Sequence, residues 1–91
     1  MSYNIHLTDD YQKKVRKFIK RHKDMASRYE KTIQILRENP YHPSLRLHKL
    51  NGELHEYYSV SINIEYRIIM DFIVIDKIII PLNIGTHDEV Y

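Results

Sequence analysis

The sequence contains no cysteine, which excludes a disulfide framework, a thiolate metal site and a cysteine nucleophile together. It has only two glycines, and it carries neither a Gly-rich phosphate loop nor a G-x-S-x-G nucleophile elbow. Long apolar runs are missing too. Phe72 to Ile75 and Ile78 to Ile80 fall far short of the roughly 20 residues that span a bilayer, and no N-terminal segment joins basic residues to an apolar stretch. No H-x-x-x-H or H-x-x-E-H pattern is present, so neither a metal nor any other cofactor is expected. The expectation is a cytoplasmic protein without membrane contact, with residues 1–91 forming one domain free of repeats and linkers.

What is present is charge, unevenly placed. Residues 1–50 hold 12 Lys and Arg against 5 Asp and Glu, a net of +7, while residues 51–91 hold 2 against 7, a net of −5. The basic half is densest at Lys13, Lys14, Arg16, Lys17, Lys20, Arg21 and Lys23. Such a density suits either phosphate neutralisation or a solvated helix around an apolar stripe. Salt-dependent binding separates the two.

Periodicity predicts the elements. Tyr3, Ile5 and Leu7 alternate with polar residues, as in a short half-buried strand. Thr8-Asp9-Asp10 supplies helix N-caps, and Tyr11, Val15, Phe18, Ile19 and His22 then recur at helical spacing. A second helix is expected from Asp24 or Ser27, where Ser27 to Glu30 fits a capping box, with Met25, Tyr29, Ile33 and Leu36 buried. Asn39-Pro40 ends it, and Pro43 is expected to keep the chain extended. His6 and His22 have no evident chemical partner.

The second half changes to a period of two. One face carries Tyr58, Val60, Ile62 and Ile64, followed by Tyr66, Ile68, Met70 and Phe72. The other carries Tyr57, Ser59, Ser61 and Asn63, followed by Glu65, Arg67, Ile69 and Asp71. After a turn near Asp76-Lys77 the final strand is expected to show Ile78, Ile80, Leu82 and Ile84 on one face, with Pro81 forcing an edge position or a bulge. The predicted architecture is α+β: an N-terminal strand and an antiparallel helical hairpin packed on one face of a mainly antiparallel three- to four-stranded sheet. The other sheet face would be open to a ligand.

That open face would present Ser59, Ser61, Glu65 and Arg67, flanked by His48 and His87. Such a set can cleave a phosphodiester in RNA without metal. A base removes the 2′-hydroxyl proton, an acid protonates the departing 5′-oxygen, and a cation stabilises the phosphorane. Histidine suits both proton roles, Arg67 could be the cation, and Tyr91 could stack on a base. The structural readings are equally specific: Arg67 could pair with Glu65 or Asp71, Tyr66 could be core, and Tyr91 could be packing.

RHKDM at Arg21–Met25, LHKLNG at Leu47–Gly52, EYRIIM at Glu65–Met70 and the closing NIGTHDEVY, in this order and spacing, resemble the RelE/ParE superfamily of bacterial toxins, nearest its YafQ-like branch. The resemblance covers nearly the whole chain. It implies a toxin of a type II toxin–antitoxin system, partnered by a cognate antitoxin. It further implies a metal-independent mRNA endoribonuclease (an mRNA interferase, a hydrolase by class) acting on messenger RNA in the ribosome, with DNA reached only through the antitoxin complex. His48 and His87 match the catalytic histidines of that family, Arg67 an arginine of phosphate contact and Tyr91 a terminal aromatic that contacts the substrate base. Ser61 stands where YafQ-like members carry a further histidine, and Glu65-Tyr66 where they carry Asp-Trp. The catalytic set expected is thus His48, His87, Arg67 and Glu65. The RNA-binding set is Tyr91, Tyr66, Ser61 and, towards ribosomal RNA, Lys13, Lys17 and Lys20. A ParE-type gyrase inhibitor without ribonuclease activity is the alternative within the superfamily, and a non-catalytic antitoxin-binding relic is a third possibility.

Overall fold

The computed structural model describes residues 2–50, 57–73, 75–86 and 90. Strand β1 (Asn4–Ile5) leads into helix α1 (Asp9–Arg21) and, through a 3₁₀ turn at Lys23–Met25, into helix α2 (Ala26–Glu38). A second 3₁₀ turn at Pro43–Leu45 precedes strands β2 (His48–Lys49), β3 (Tyr58–Ser61), β4 (Tyr66–Ile73) and β5 (Ile78–Thr86). No helix among the described residues is long and apolar enough to cross a membrane.

The ends of α1 follow from its sequence. Thr8 Oγ1 accepts a hydrogen bond from the Tyr11 amide, 3.2 Å. Asp9 and Asp10 occupy the first turn and Lys20 and Arg21 the last, so charge opposes the helix dipole at both ends. Helix α2 starts otherwise than predicted. Asp24 lies within the 3₁₀ turn, Ser27 lies inside the helix, and no side chain caps its N-terminus. The 3₁₀ turn carries the chain straight from one helix to the next and places Met25 in the core, so tertiary burial replaces the cap. Asn39 ends α2 in an extended conformation before Pro40, as the proline requires.

Pro43 does not prolong an extended chain. It opens the second 3₁₀ turn, where its fixed φ suits a helical first position, and His42 Nδ1 accepts from the Ser44 amide, 3.1 Å. This turn drives Leu45 into the core, 1% exposed. Arg46 then leaves it with φ 49° and ψ 50°, a left-handed conformation that costs a non-glycine residue on the order of 1 kcal/mol.

The sheet has five strands in the order β1-β5-β4-β3-β2. It is mixed: β1 pairs in parallel with β5, and all other pairs are antiparallel. Both helices lie on one face. There Val60, Ile68, Met70, Ile79 and Ile84 form the core with Tyr11, Phe18, Met25, Ile33, Leu36 and Leu45. Within this core Tyr11 and Tyr29 share a 3.1 Å hydroxyl–hydroxyl hydrogen bond, and Thr32 Oγ1 donates to the Arg28 carbonyl, 2.7 Å.

Two strand assignments are corrected. Strand β3 ends at Ser61. Residues 62–65 form a turn in which Asn63 Oδ1 accepts from the amides of Glu65 and Tyr66, 2.9 and 2.8 Å, so Ile64 leaves the apolar row and is 81% exposed. In β5 the register shifts, with Ile69 opposite Asn83 and Met70 opposite Pro81. Leu82 is the extra residue of a bulge. Ile79 and Pro81 are consequently buried on the core side before it and Ile84 after it, a phase that unbroken alternation cannot produce. Lys14 Nζ donates to the Leu82 carbonyl, 3.0 Å, satisfying an acceptor at the disturbed part of the ladder.

Candidate functional site

The face of the sheet away from the helices is fixed by register. His48 pairs with Ser59, Ser59 with Ile69, and Ile69 with Asn83. In the neighbouring row Ser61 pairs with Arg67, and Arg67 with Gly85. Cross-strand partners share a face, and residues two apart along a strand do so as well. His48, Ser59, Ser61 and Arg67 therefore stand on one face, on three adjacent strands. Two strand spacings of about 4.8 Å and a two-residue rise of about 6.6 Å set the His48 and Arg67 Cα atoms roughly 12 Å apart. Side chains of their lengths can reach toward a group placed between them.

This face is less open than its composition suggests. Ser59 is 0% and Ser61 8% exposed, and Ile69 is buried as well. Serine is short, and at Ser59 it sits between His48 and Ile69 across the strands, so longer neighbours screen it. His48 is exposed on its short strand, and Arg67 is half-buried.

Two polar atoms here are unusual. Arg67 Nε and Ser59 Oγ are buried and make no hydrogen bond among the described residues. Buried donors are nearly always paired, and leaving a charged one unpaired is expensive. Neither of the expected ion-pair partners takes up Arg67: no ion pair to Glu65 or Asp71 is present among the described residues. Gly85, opposite Arg67 in the ladder, has no side chain to crowd the guanidinium stem. The result is a cation at the sheet surface with one donor unused among the described residues, an arrangement suited to an anionic ligand.

The other expected residues fall in several places. Glu65 is exposed in the turn before β4 and not on the strand face, because Asn63 captures its amide. Tyr66 lies on the helix face. Its ring is 5.0 Å from that of Phe18 in an edge-on contact and 4.7 Å from that of His22, and its hydroxyl is 3.1 Å from His22 Nδ1. His22, for which no partner was expected, is thus tied into the α1–β4 packing. Its place in the helical stripe after Phe18 carried that signal. His87 and Tyr91 lie outside the described residues.

On α1, Lys13, Lys17 and Lys20 are exposed. Lys14 differs from them, being held by Asp10 at 3.3 Å and by the Leu82 carbonyl. Lys17 and Arg21 border a small cleft of about 240 Å³ with His22 and Asn83. A larger cleft of about 510 Å³, lined in part by Arg28, Lys31, Arg46 and Ser61, was not foreseen. Its residues come from three separate segments, and no short motif links them.

No protein-family model and no curated protein matches the chain. Solved structures do. A copper-bound mutant toxin from Helicobacter pylori is 25% identical over 100% of both chains, with a TM-score of 0.73. The DinJ–YafQ toxin–antitoxin complex of Escherichia coli is similar over 100% of this chain and 99% of that one, at 24% identity and a TM-score of 0.76. The archaeal RelE–RelB complex from Pyrococcus horikoshii matches over 94% and 96%, at 23% identity and a TM-score of 0.68. The chain has the RelE/YafQ-like toxin fold.

Proposed function

We propose that this chain is the toxin of a type II toxin–antitoxin pair and acts as a metal-independent, ribosome-dependent mRNA endoribonuclease. The fold supports the first part, since RelE and YafQ occur in solved complexes with RelB and DinJ. The observation that carries the second is Arg67, a half-buried cation whose Nε has no partner among the described residues, on the same sheet face as His48.

In this reading the scissile phosphate is held at Arg67. His48 takes the proton of the 2′-hydroxyl, or stabilises the group that does, while the 2′-oxygen attacks phosphorus. Arg67 stabilises the added negative charge of the phosphorane. His87, which directly follows β5 in sequence, gives its proton to the departing 5′-oxygen. The P–O5′ bond breaks, and the products are a 2′,3′-cyclic phosphate and a 5′-hydroxyl. Ser61 lines the phosphate position, Glu65 supports the site from the turn, and Tyr91 stacks on a base. Tyr66, packed on the helix side, contributes through the placement of β4. Lys13, Lys17 and Lys20 make sequence-independent contacts with ribosomal RNA phosphates.

The test is induction of the protein in growing bacteria with mapping of mRNA 5′ ends. The expected outcome is codon-phased cuts that fall by between about 100- and 10,000-fold in His48→Ala and His87→Ala, with each variant still folded. Undiminished toxicity in both variants, accompanied by DNA damage and no cuts, would establish a gyrase inhibitor instead.

A further inference from the structure

The 510 Å³ cleft lies where α2, the second 3₁₀ turn and the β3–β4 turn meet. Arg28 and Lys31, one helical turn apart on α2, form one wall, and Arg46 closes the other side. The floor is apolar, with Leu45 and Ile62 both buried. Among the described residues that line the cleft there is no carboxylate, and none of the three cations makes an ion pair with a described residue. Three like charges around one concavity repel one another, and an anion seated between them relieves that repulsion. The left-handed backbone at Arg46 is retained despite its cost and sets the direction in which its side chain leaves the turn.

Two further features point to the class of anion. Ser61 lines this cleft and is also the cross-strand partner of Arg67, so the cleft and the candidate site share a wall. At its rim Ile64 stands almost fully exposed on a turn whose backbone Asn63 locks. An apolar side chain held beside three cations matches a ligand that alternates phosphate with sugar and base. We infer that this cleft binds single-stranded RNA: a phosphate neighbouring the scissile one sits between Arg28, Lys31 and Arg46, and the adjoining ribose or base packs on Ile64. The inference rests on the ribonuclease reading above for the position of the scissile phosphate. Substrate RNA would then pass from the Arg67 face over the end of β3 and into the cleft.

The test uses the whole chain and a 2′-O-methyl oligonucleotide, which binds but cannot be cut. Binding is followed by fluorescence anisotropy over a salt series for the wild type and for R28Q/K31Q/R46Q. Losing the one phosphate contact that the three cations share should lower the slope of log K against log salt by about 0.7, the value for a single neutralised phosphate on a single strand. R28K/R46K should retain the wild-type slope. Ile64→Ser should weaken binding with the slope unchanged. If the triple variant does not fold, R28Q and K31Q, both on the exposed face of α2, are each expected to lower the slope by part of that drop of about 0.7.

An unchanged slope in the folded glutamine variants, or no RNA binding by the wild type, overturns the inference. So does a loss confined to binding of an oligoglutamate peptide, which would assign the cleft to an acidic protein segment. The two readings fail separately. A wild type that cuts messages while the variants keep its slope removes the cleft alone. A chain that cuts nothing, yet binds RNA with the expected loss of slope in the variants, removes the ribonuclease reading alone.

Discussion

The two faces of the sheet treat polar groups in opposite ways. On the helix side Tyr11 is bonded to Tyr29, Thr32 to the Arg28 carbonyl and Tyr66 to His22, so burial is matched by hydrogen bonding. On the other side Ser59 Oγ and Arg67 Nε are buried with no partner among the described residues. A satisfied polar group stabilises the fold, whereas an orphaned one costs stability unless something outside the fold engages it. The difference separates polar groups satisfied within the fold from two that the described residues leave unsatisfied.

Truncating the core should produce the largest effect. Leu36 is fully buried in the helix-side core, and Leu36→Ala should cost about 3–5 kcal/mol of stability in urea unfolding. A loss below about 1 kcal/mol would mean that this face is packed far more loosely than described. Arg67→Met tests the other face. It removes the charge and its unpartnered Nε while keeping much of the stem, so message cutting should fall by between about 100- and 1,000-fold, while the urea midpoint holds or rises. If stability fell along with activity, Arg67 would belong with the structural groups and the contrast between the faces would collapse.

The smallest effect sharpens the contrast from the helix side. Burial, followed by the nearby Tyr29 charge and the shared hydrogen bond, pushes the Tyr11 hydroxyl well above its ordinary pKa. The folded state therefore holds this proton more tightly than the unfolded state. Its contribution is complete below the unfolded value of about 10 and is lost progressively as pH rises beyond it. Stability should sag above about pH 10, and Tyr11→Phe should remove part of that sag at a cost of about 1 kcal/mol at neutral pH. An identical alkaline profile in the variant would show that Tyr11 is not held in this way.

Much of this could be read along the chain. Thr8 as a cap, the end of α2 at Asn39-Pro40, the edge-or-bulge alternative posed by Pro81, and the opposite facing of Tyr66 and Arg67 all depend on a few neighbouring residues. The same period of two put Ser59, Ser61 and Arg67 on one face. It could not show that the serines are buried or that Glu65 leaves the strand, because those outcomes depend on cross-strand neighbours and on the turn made by Asn63.

Local steric and periodic rules thus indicated, from the sequence alone, the two helices, the position of most strands and the shared face of Ser59, Ser61 and Arg67. Only the tertiary structure decided that β1 runs parallel to β5, that the Leu82 bulge changes the phase of the last strand and takes Lys14 away from the basic surface, and that Arg28, Lys31 and Arg46 meet around one cleft. Each of these joins residues far apart in the chain, and their meeting is set by how helices and sheet pack as a whole, a relation that no local pattern encodes.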